Sequence, residues 1–173
     1  MKLLYTLKDE EFPYDGIDNV RDISRGVIYN DNLEIALIHL YGDDIFGHRD
    51  YYETPGGGKE KGETNEEAFI REIKEELGAS IDSIQEIGRV VDYYNLIKRK
   101  NNNHFYLAHV IKIEEKNLND YEKTIMESIV WVPIDKVIEV YTSKEETKIS
   151  RLVINRELPI LKRAIKMLKT FYK

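Results

Sequence analysis

Short stretches in which hydrophobic and polar residues alternate recur along the chain, and this pattern predicts β-strands. The clearest is His104 to Glu114 (HFYLAHVIKIE), and Leu33 to Leu40 (LEIALIHL) is a second example. A turn at residues 30–32 is expected to join this second strand to a hairpin-like partner. Further strands are predicted at residues 2–8, 26–29, 84–95 (with a break at Gly88) and 129–132. Polar sequence predicts a loop or edge at residues 9–24, loops at 41–52 and 115–123, and a turn at 99–103.

Apolar residues spaced at helical intervals predict helices between these strands. Phe69, Ile73 and Leu77 recur every four residues, which is the stripe that packs a helix against a core. Thr64 and Glu67 form a capping box at its start, and Gly78 ends it. Pro133 is expected to open another helix at its first position. A long helix is predicted from about Glu145, with a later stripe of Leu158, Leu161, Ile165 and Leu168. Mixed strands with a few helices favour an α/β sandwich.

The helix that begins after Thr64 carries three carboxylates on one side. Glu72, Glu75 and Glu76 occupy positions i, i+3 and i+4, an arc of roughly 100°. Like charges at this spacing destabilise a helix by roughly 0.2–0.5 kcal/mol per pair, and a hard divalent cation such as Mg²⁺ would relieve the repulsion. A solvated, charge-rich helix face is the alternative. The preceding glycines, Gly56 to Gly58, favour a metal site because such a loop can offer a backbone carbonyl.

These residues together resemble a known motif. The order Gly57, five residues, Glu63, seven residues, then Arg71 to Gly78 (REIKEELG) is similar to the Nudix box over residues 57–79. The last position departs from the motif, because Ala79 is small where a bulky aliphatic residue is usual, and Ile81 is a candidate for that role. The resemblance implies a single Nudix hydrolase domain over residues 1–173, with an α/β/α sandwich around a mixed β-sheet.

The resemblance also implies roles for individual residues. Glu72, Glu75, Glu76 and the carbonyl of Gly57 would ligate Mg²⁺ or Mn²⁺, and Arg71 would pair with Glu63 to orient the carboxylates. The implied reaction is hydrolysis of a nucleoside diphosphate linked to another moiety, such as a nucleoside triphosphate, a dinucleoside polyphosphate or a nucleotide sugar, by attack of water on phosphorus. A Nudix-fold module that binds or senses a nucleotide without cleaving it is the alternative, although such a module has no need of the full set of carboxylates.

The general base and the substrate contacts are less well defined by the sequence. A glutamate of the box, Glu122 or Glu127 can serve as the base, and an ordinary charged loop also explains the last two. Four residues are candidates for binding substrate: Arg25, His48, Arg49 and Tyr94. The two cationic loop residues can contact phosphate, and Tyr94 lies at a spacing from the box that goes with dinucleoside polyphosphates in some relatives. Packing or solvent exposure also accounts for these residues.

Composition narrows the class of protein. With 173 residues, 42% hydrophobic and 34% charged, one domain with an ordinary core is expected. No apolar run approaches the length of a membrane span, and there is no cysteine, so a cytoplasmic protein is expected. The net charge of −6 argues against a nucleic-acid partner. A small nucleotide remains compatible because a bound metal reverses the sign of the local charge. The oligomeric state stays open, with a homodimer as one option.

Overall fold

The computed structural model describes residues 1–171, which form eight strands and four α-helices. The strands are β1 (Leu3–Thr6), β2 (Asn19–Tyr29), β3 (Glu34–Asp44), β4 (Gly47–Glu53), β5 (Gly56–Gly58), β6 (Ala79–Tyr94), β7 (Arg99–Ile113) and β8 (Met126–Pro133). The helices are α1 (Asn65–Leu77), α2 (Asp120–Ile125), α3 (Val137–Tyr141) and α4 (Lys148–Phe171), and a 3-10 turn covers Asn95–Ile97.

All eight strands belong to one mixed sheet that opens in its middle. The main order is β1-β6-β7-β2-β3-β4, while β5 pairs with β2 and β8 pairs with β3. The β1–β6 and β2–β7 pairs are parallel, and the other pairs are antiparallel. Strands β2 and β3 are in register at a single position, Tyr29 opposite Ile35, and β2 then pairs with β5 instead. The sheet therefore divides beyond this position and leaves a gap between β2 and β3.

Apolar side chains cover both faces of the sheet. Phe69, Ile73 and Leu77 of α1 are buried in one core cluster, and the ring of Phe69 stacks on Tyr106 at 4.8 Å. Ile160 and Leu161 of α4 belong to a second cluster with residues of β2 and β7. The prediction of an α/β/α sandwich around a mixed sheet is confirmed. Among residues 1–171, no helix has the combination of length and apolar character that a membrane crossing requires.

Three segments that were expected to be loops or turns are strands. Residues 19–24 belong to β2, residues 41–44 and 47–52 form a β-hairpin of β3 and β4, and residues 99–103 open β7. Burial alternates along β4, but the side chains on its buried face include the charged Arg49 and Glu53. Asn101 and Asn103 of β7 are fully buried and donate hydrogen bonds to Asp92. Polar residues on the inward face of a strand remove the alternation of hydrophobic and polar positions, so this pattern does not predict the strand.

The helix predictions also need correction. Part of the expected loop at 115–123 is helical, because α2 begins at Asp120 behind an Asn119–Glu122 capping box. Pro133 does not open a helix; it is the last residue of β8, and α3 begins at Val137. The long C-terminal helix begins at Lys148 and continues through Pro159. Within its expected stripe, Leu161 and Leu168 are buried.

Candidate active site

A cavity of about 880 Å³ lies where the sheet divides. Its walls come from strands β2 to β8, from α1 and α2, and from the first turns of α4. Carboxylates line one part of it, and aromatic rings and arginines line another, including Phe46, Tyr94 and Tyr121. A volume of this size is in the range of sites for small ligands. The structure thus brings most of the candidate residues named from the sequence into one concave site.

The glycine loop lets α1 approach the strand that precedes it. A Cβ atom added at Gly57 would lie 2.5 Å from the carboxylate of Glu72, so a side chain there would displace this group. Gly56 has φ of 135°, a conformation that favours glycine, and its N–H donates a 2.6 Å hydrogen bond to Oε2 of Glu76. The loop therefore both admits one carboxylate and orients another. The role of the Gly57 carbonyl as a metal ligand stays a prediction.

Helix α1 begins and ends as its sequence predicted. The Thr64 side chain accepts from the N–H of Glu67, while the Glu67 carboxylate accepts from the N–H of Thr64. Gly78 ends the helix in the left-handed conformation with φ of 64°. These two caps satisfy backbone groups that the helix cannot pair itself. They determine which residues face the cavity.

Of the three α1 carboxylates in the predicted metal site, two are buried, and a carboxylate from another helix lies beside them. Glu72 and Glu76 are 6% and 8% exposed. Burial raises the pKa of Glu72 above its ordinary value and raises the pKa of Glu76 well above it. Oxygen atoms of Glu72, Glu76 and Glu122 all lie within 4.8 Å of one another; these three residues are called the acidic cluster below. Three oxygen donors this close are a suitable set for a hard divalent cation.

Glu75 takes a different position from its two neighbours. Its side chain is 34% exposed, and Oε2 accepts a 3.0 Å hydrogen bond from Nη1 of Arg71. It lines the cavity but lies outside the acidic cluster. Its role as a ligand stays a prediction, with weaker geometric support than Glu72 or Glu76 has.

Arg71 forms a bidentate ion pair with Glu63, as the sequence predicted. Its Nε and Nη2 lie 2.7 and 3.1 Å from the two carboxylate oxygens of Glu63. The same guanidinium donates to Oε1 of Glu72 at 2.9 Å and to the carbonyl of Gly58 at 3.0 Å. Hydrogen bonding to Glu63 raises the pKa of Arg71, so the charge is permanent. Arg71 thereby connects the loop, the helix and a carboxylate of the acidic cluster.

Of the two candidates outside the box for the general base, only one reaches the site. Glu122 lines the cavity from α2, and one of its oxygens accepts the N–H of Asn119 at 2.8 Å. Glu127 is exposed on β8 and is not a lining residue. A loop was expected where α2 lies, so nothing in the sequence favoured Glu122 over Glu127.

The four candidate substrate residues separate into two groups. Arg25, Arg49 and Tyr94 line the cavity. Arg25 pairs with Glu53 and Arg49 pairs with Asp44, and burial raises the pKa of Tyr94 to about 12, which keeps its phenol neutral. His48 does not line the cavity; it is exposed and contacts Asp43 at 3.1 Å. The geometry therefore supports a substrate role for the first three and offers none for His48.

A buried ion network behind the cavity was not foreseen from the sequence. Arg156 of α4 is 1% exposed and donates to Glu157, Asp92 and Glu53 and to the hydroxyl of Tyr94. Glu157 is fully buried and accepts from the N–H of Thr54 and from the hydroxyl of Tyr141. An adjacent Arg-Glu pair in a helix is an ordinary surface sequence. The sign that could have identified it is helical spacing, because the pair lies one turn after the buried Leu152 and Val153 and one turn before the buried Ile160 and Leu161.

Comparisons with known proteins agree with this geometry. The family model described as NUDIX domain matches residues 21–154. An RNA pyrophosphohydrolase from Hydrogenovibrio crunogenus is 29% identical, over 64% of this chain and 80% of that protein. An 8-oxo-dGTP diphosphatase from Escherichia coli is 41% identical over a shorter region, 32% of this chain and 42% of that protein. The prediction of a Nudix pyrophosphohydrolase is confirmed by the family match and by the activities for which these relatives are named.

Solved structures show the same fold at low sequence identity. A MutT NUDIX hydrolase from Burkholderia pseudomallei has a TM-score of 0.58 and 21% identity, covering 80% of this chain and 98% of that one. A MutT protein from Methanosarcina mazei has a TM-score of 0.61 and 16% identity, covering 91% and 99%. The shared fold, the box residues around the cavity and a family match over more than half of its length together show that this chain belongs to the Nudix family.

Proposed function

We propose that the protein hydrolyses a nucleoside diphosphate linked to another moiety, by attack of water on phosphorus, with Mg²⁺ or Mn²⁺ as the cofactor. The observation that carries this proposal is the acidic cluster, in which oxygens of Glu72, Glu76 and Glu122 lie within 4.8 Å of one another at the wall of the cavity. Two of these side chains are buried. Buried carboxylates are costly unless they are paired or coordinate a metal, which favours a bound cation over a solvated acidic face.

The chain's own residues would hold the cation and keep its ligands in place. Glu72 and Glu76 are the principal ligands, with Glu75 and the Gly57 carbonyl as further candidates. Arg71 restrains Glu72 through a 2.9 Å hydrogen bond, and the N–H of Gly56 restrains Glu76. When bound, a divalent cation neutralises phosphate oxygens and lowers the pKa of a coordinated water.

Glu122 is our candidate for the group that accepts the proton from the attacking water. It belongs to the acidic cluster but comes from α2 rather than from α1. One of its carboxylate oxygens accepts the N–H of Asn119, and the other has no such restraint. Glu72 and Glu76 are assigned to the cation and Glu75 is held by Arg71, so the carboxylate from the separate helix is the one left for the proton.

The substrate is proposed to be a small nucleotide. One relative is named for RNA, which is a polymer of nucleotides, and another for the small nucleotide 8-oxo-dGTP. The cavity offers aromatic surfaces for a base: Phe46 lies 5.7 Å from Tyr94 between ring centroids, and Tyr121 is exposed beside them. Aromatic rings bind bases by stacking. Arg25 and Arg49 lie among these groups, and each can contact phosphate.

Hydrolysis of a panel of nucleotides with Mg²⁺ or Mn²⁺ tests the proposal. We expect release of phosphate, pyrophosphate or nucleoside monophosphate from at least one member, and none with EDTA. Glu76→Gln should lower kcat at least about 100-fold, because a ligand charge is lost at the reacting centre. Glu66→Gln is the matched control, since Glu66 is exposed on the same helix and does not line the cavity.

The same panel separates an enzyme from a binding module. If a nucleotide raises the melting temperature but no product forms with either metal, the protein senses nucleotides without cleaving them. If Glu76→Gln and Glu66→Gln have the same turnover as the wild type, the acidic cluster is not the catalytic centre and the proposed function is wrong.

A further inference from the structure

Two arginines at the cavity have no partner for their positive charge. Five arginines line it in all, and three of them are paired with carboxylates: Arg25, Arg49 and Arg71. Within the part of the chain that the structure describes, the guanidinium groups of Arg21 and Arg99 form no ion pair and no hydrogen bond; these two residues are called the arginine pair below. Because carboxylates neutralise the other three cavity arginines, two guanidinium groups without such partners indicate a site for an anion.

The arginine pair lies on one face of the sheet, on neighbouring strands. Strands β2 and β7 are parallel, with Asn19 opposite Arg99 and Arg21 opposite Asn101. Arg21 and Arg99 are therefore diagonal neighbours, because side chains two residues apart on a strand point to the same face. Burial, followed by the charge of Arg21, lowers the pKa of Arg99. The two positive charges thus repel each other, and each raises the free energy of keeping the other charged.

The environment of Arg99 makes this arrangement unfavourable without a ligand. The residue is half-buried, and its Nε atom is shielded from solvent with no hydrogen-bond acceptor. Its guanidinium lies 5.6 Å from the centre of the Tyr94 ring, which offers a weak attraction. A buried donor left unpaired is destabilising. An anion between Arg21 and Arg99 would supply the acceptor and compensate both charges.

The arginine pair is adjacent to the box glycines. A Cβ atom added at Gly58 would lie 2.0 Å from Nη2 of Arg21, so the guanidinium packs directly on this residue. Successive residues of a strand point to opposite faces, so Gly57 meets Glu72 on one side of β5 and Gly58 meets Arg21 on the other. Both Arg21 and Glu72 nevertheless line the same cavity. A polyphosphate that occupies this cavity can therefore contact both groups.

We propose that Arg21 and Arg99 form a subsite for a phosphate group of the substrate other than the phosphates at the acidic cluster. This inference rests on the proposed function and specifies the substrate class as a nucleoside polyphosphate, rather than a nucleoside diphosphate joined to an uncharged sugar. Guanidinium groups suit this role because their planar donors match two oxygens of a phosphate. Glycine at position 58 leaves room for the guanidinium of Arg21 to lie flat against the strand.

Binding of inorganic tripolyphosphate tests the subsite independently of catalysis. The titration is performed by calorimetry in EDTA at about 0.15 M salt, where surface charges are screened and the acidic cluster holds no cation to attract the anion. We expect Arg21→Gln and Arg99→Gln each to raise Kd about tenfold or more, and Arg99→Lys to restore binding in part. Arg21 is exposed, so its variant should fold even if the Arg99 variant does not.

Arg89→Gln is the matched control for this titration. Arg89 also has a buried Nε without a partner and lies on the same sheet, but it does not line the cavity. We expect its Kd to equal that of the wild type. The proposal is overturned if the wild type does not bind tripolyphosphate at millimolar concentration, if neither cavity variant weakens binding, or if Arg89→Gln weakens it equally.

Kinetics then connects the subsite to the substrate. With a nucleoside triphosphate, Arg21→Gln should raise KM about tenfold with little change in kcat, because the lost contact is present in both ground and transition states. With a nucleoside diphosphate sugar, KM should not respond to this substitution. An equal rise in KM for both substrates would overturn the assignment of a phosphate. A wild type that hydrolyses neither substrate would count against the proposed function, while the calorimetric result would still decide the subsite.

Discussion

Replacement of Arg156 by methionine should destabilise the protein severely while the backbone of α4 keeps its helical propensity. The Arg156 guanidinium lies 2.6 Å from Oε1 of Glu157 and 2.6 Å from the hydroxyl of Tyr94. It also lies 3.3 Å from Asp92 and 3.1 Å from Glu53. Methionine matches the aliphatic stem of arginine and has a high helix propensity, so the substitution removes the guanidinium with its charge and donors and keeps the apolar part of the side chain.

The magnitude follows from the charges left behind. Glu53 retains Arg25 as a close partner, and Glu157, which is fully buried, retains a longer contact with Arg25 at 3.7 Å. Asp92 is 3% exposed and its one ion pair among residues 1–171 is with Arg156, so at least this carboxylate loses most of its compensation. Removing one partner of a buried ion pair costs about 3–5 kcal/mol. For a protein of this size, about 2–4 °C of melting temperature corresponds to each kcal/mol, which gives an expected decrease of about 6–20 °C.

Thermal and urea unfolding would measure this change, with Arg151→Met as the control. Arg151 lies five residues before Arg156 on α4 and makes a bidentate pair with Glu11, but its side chain is 38% exposed. Solvent screens such a pair, so its melting temperature should stay close to that of the wild type. Adding Glu157→Gln to Arg156→Met should recover part of the loss. Equal melting temperatures for the Arg156 and Arg151 variants would refute the buried-charge reasoning.

Three further predictions concern the acidic cluster and its support. Arg71→Ala should lower activity at least about tenfold and weaken metal binding, and Arg71→Lys should recover only part of the activity because lysine lacks the planar fork. Equal kinetics for the wild type and both variants would contradict this role of Arg71. Mg²⁺ at about 100 times its Kd should add about 2.7 kcal/mol to the free energy of unfolding, or about 5–11 °C in a melt against EDTA, and superimposable melts would contradict it. In EDTA, burial raises the pKa of Glu76, so its contribution to stability is complete below the unfolded pKa and is lost as pH rises through the folded one. The wild type should therefore lose stability relative to Glu76→Gln as pH rises above the ordinary pKa of a glutamate, about 4.3, and parallel pH profiles would exclude this.

Residues that are close together in the sequence predicted the parts of the site that depend on short-range contacts. Thr64, Glu67 and Gly78 predicted the limits of α1, because helix caps depend on residues a few positions apart. The Arg71–Glu63 pair was implied by the resemblance to the Nudix box, and its two residues are only eight positions apart. In each case the residues that decide the geometry are close in sequence, and the residues predicted to form each contact are the ones that form it in the structure.

Contacts between distant segments were not accessible to the same reasoning. Strand β4 buries Arg49 and Glu53, and the first half of β7 contains buried asparagines whose side-chain N–H groups donate to Asp92 of β6. These side chains are polar because they line a cavity or a buried network, so hydrophobic periodicity misassigns them as loops. Glu122 was only one of several candidates for the same reason, since its position depends on how α2 docks against β3.

Helix α2 has a consequence for how the protein loses activity on heating. It has six residues, too few to form a stable helix alone, and it is fastened mainly by its capping box, by Asn117 donating to the carbonyl of Glu75, and by Tyr121 donating to Asp44. We expect this segment to open well before the sheet does, with fast amide exchange and early cleavage by proteases. Each opening withdraws Glu122 while the carboxylates of α1 stay in place. Catalysis should therefore fail at temperatures at which the rest of the protein is still folded, and nucleotide should delay both inactivation and nicking.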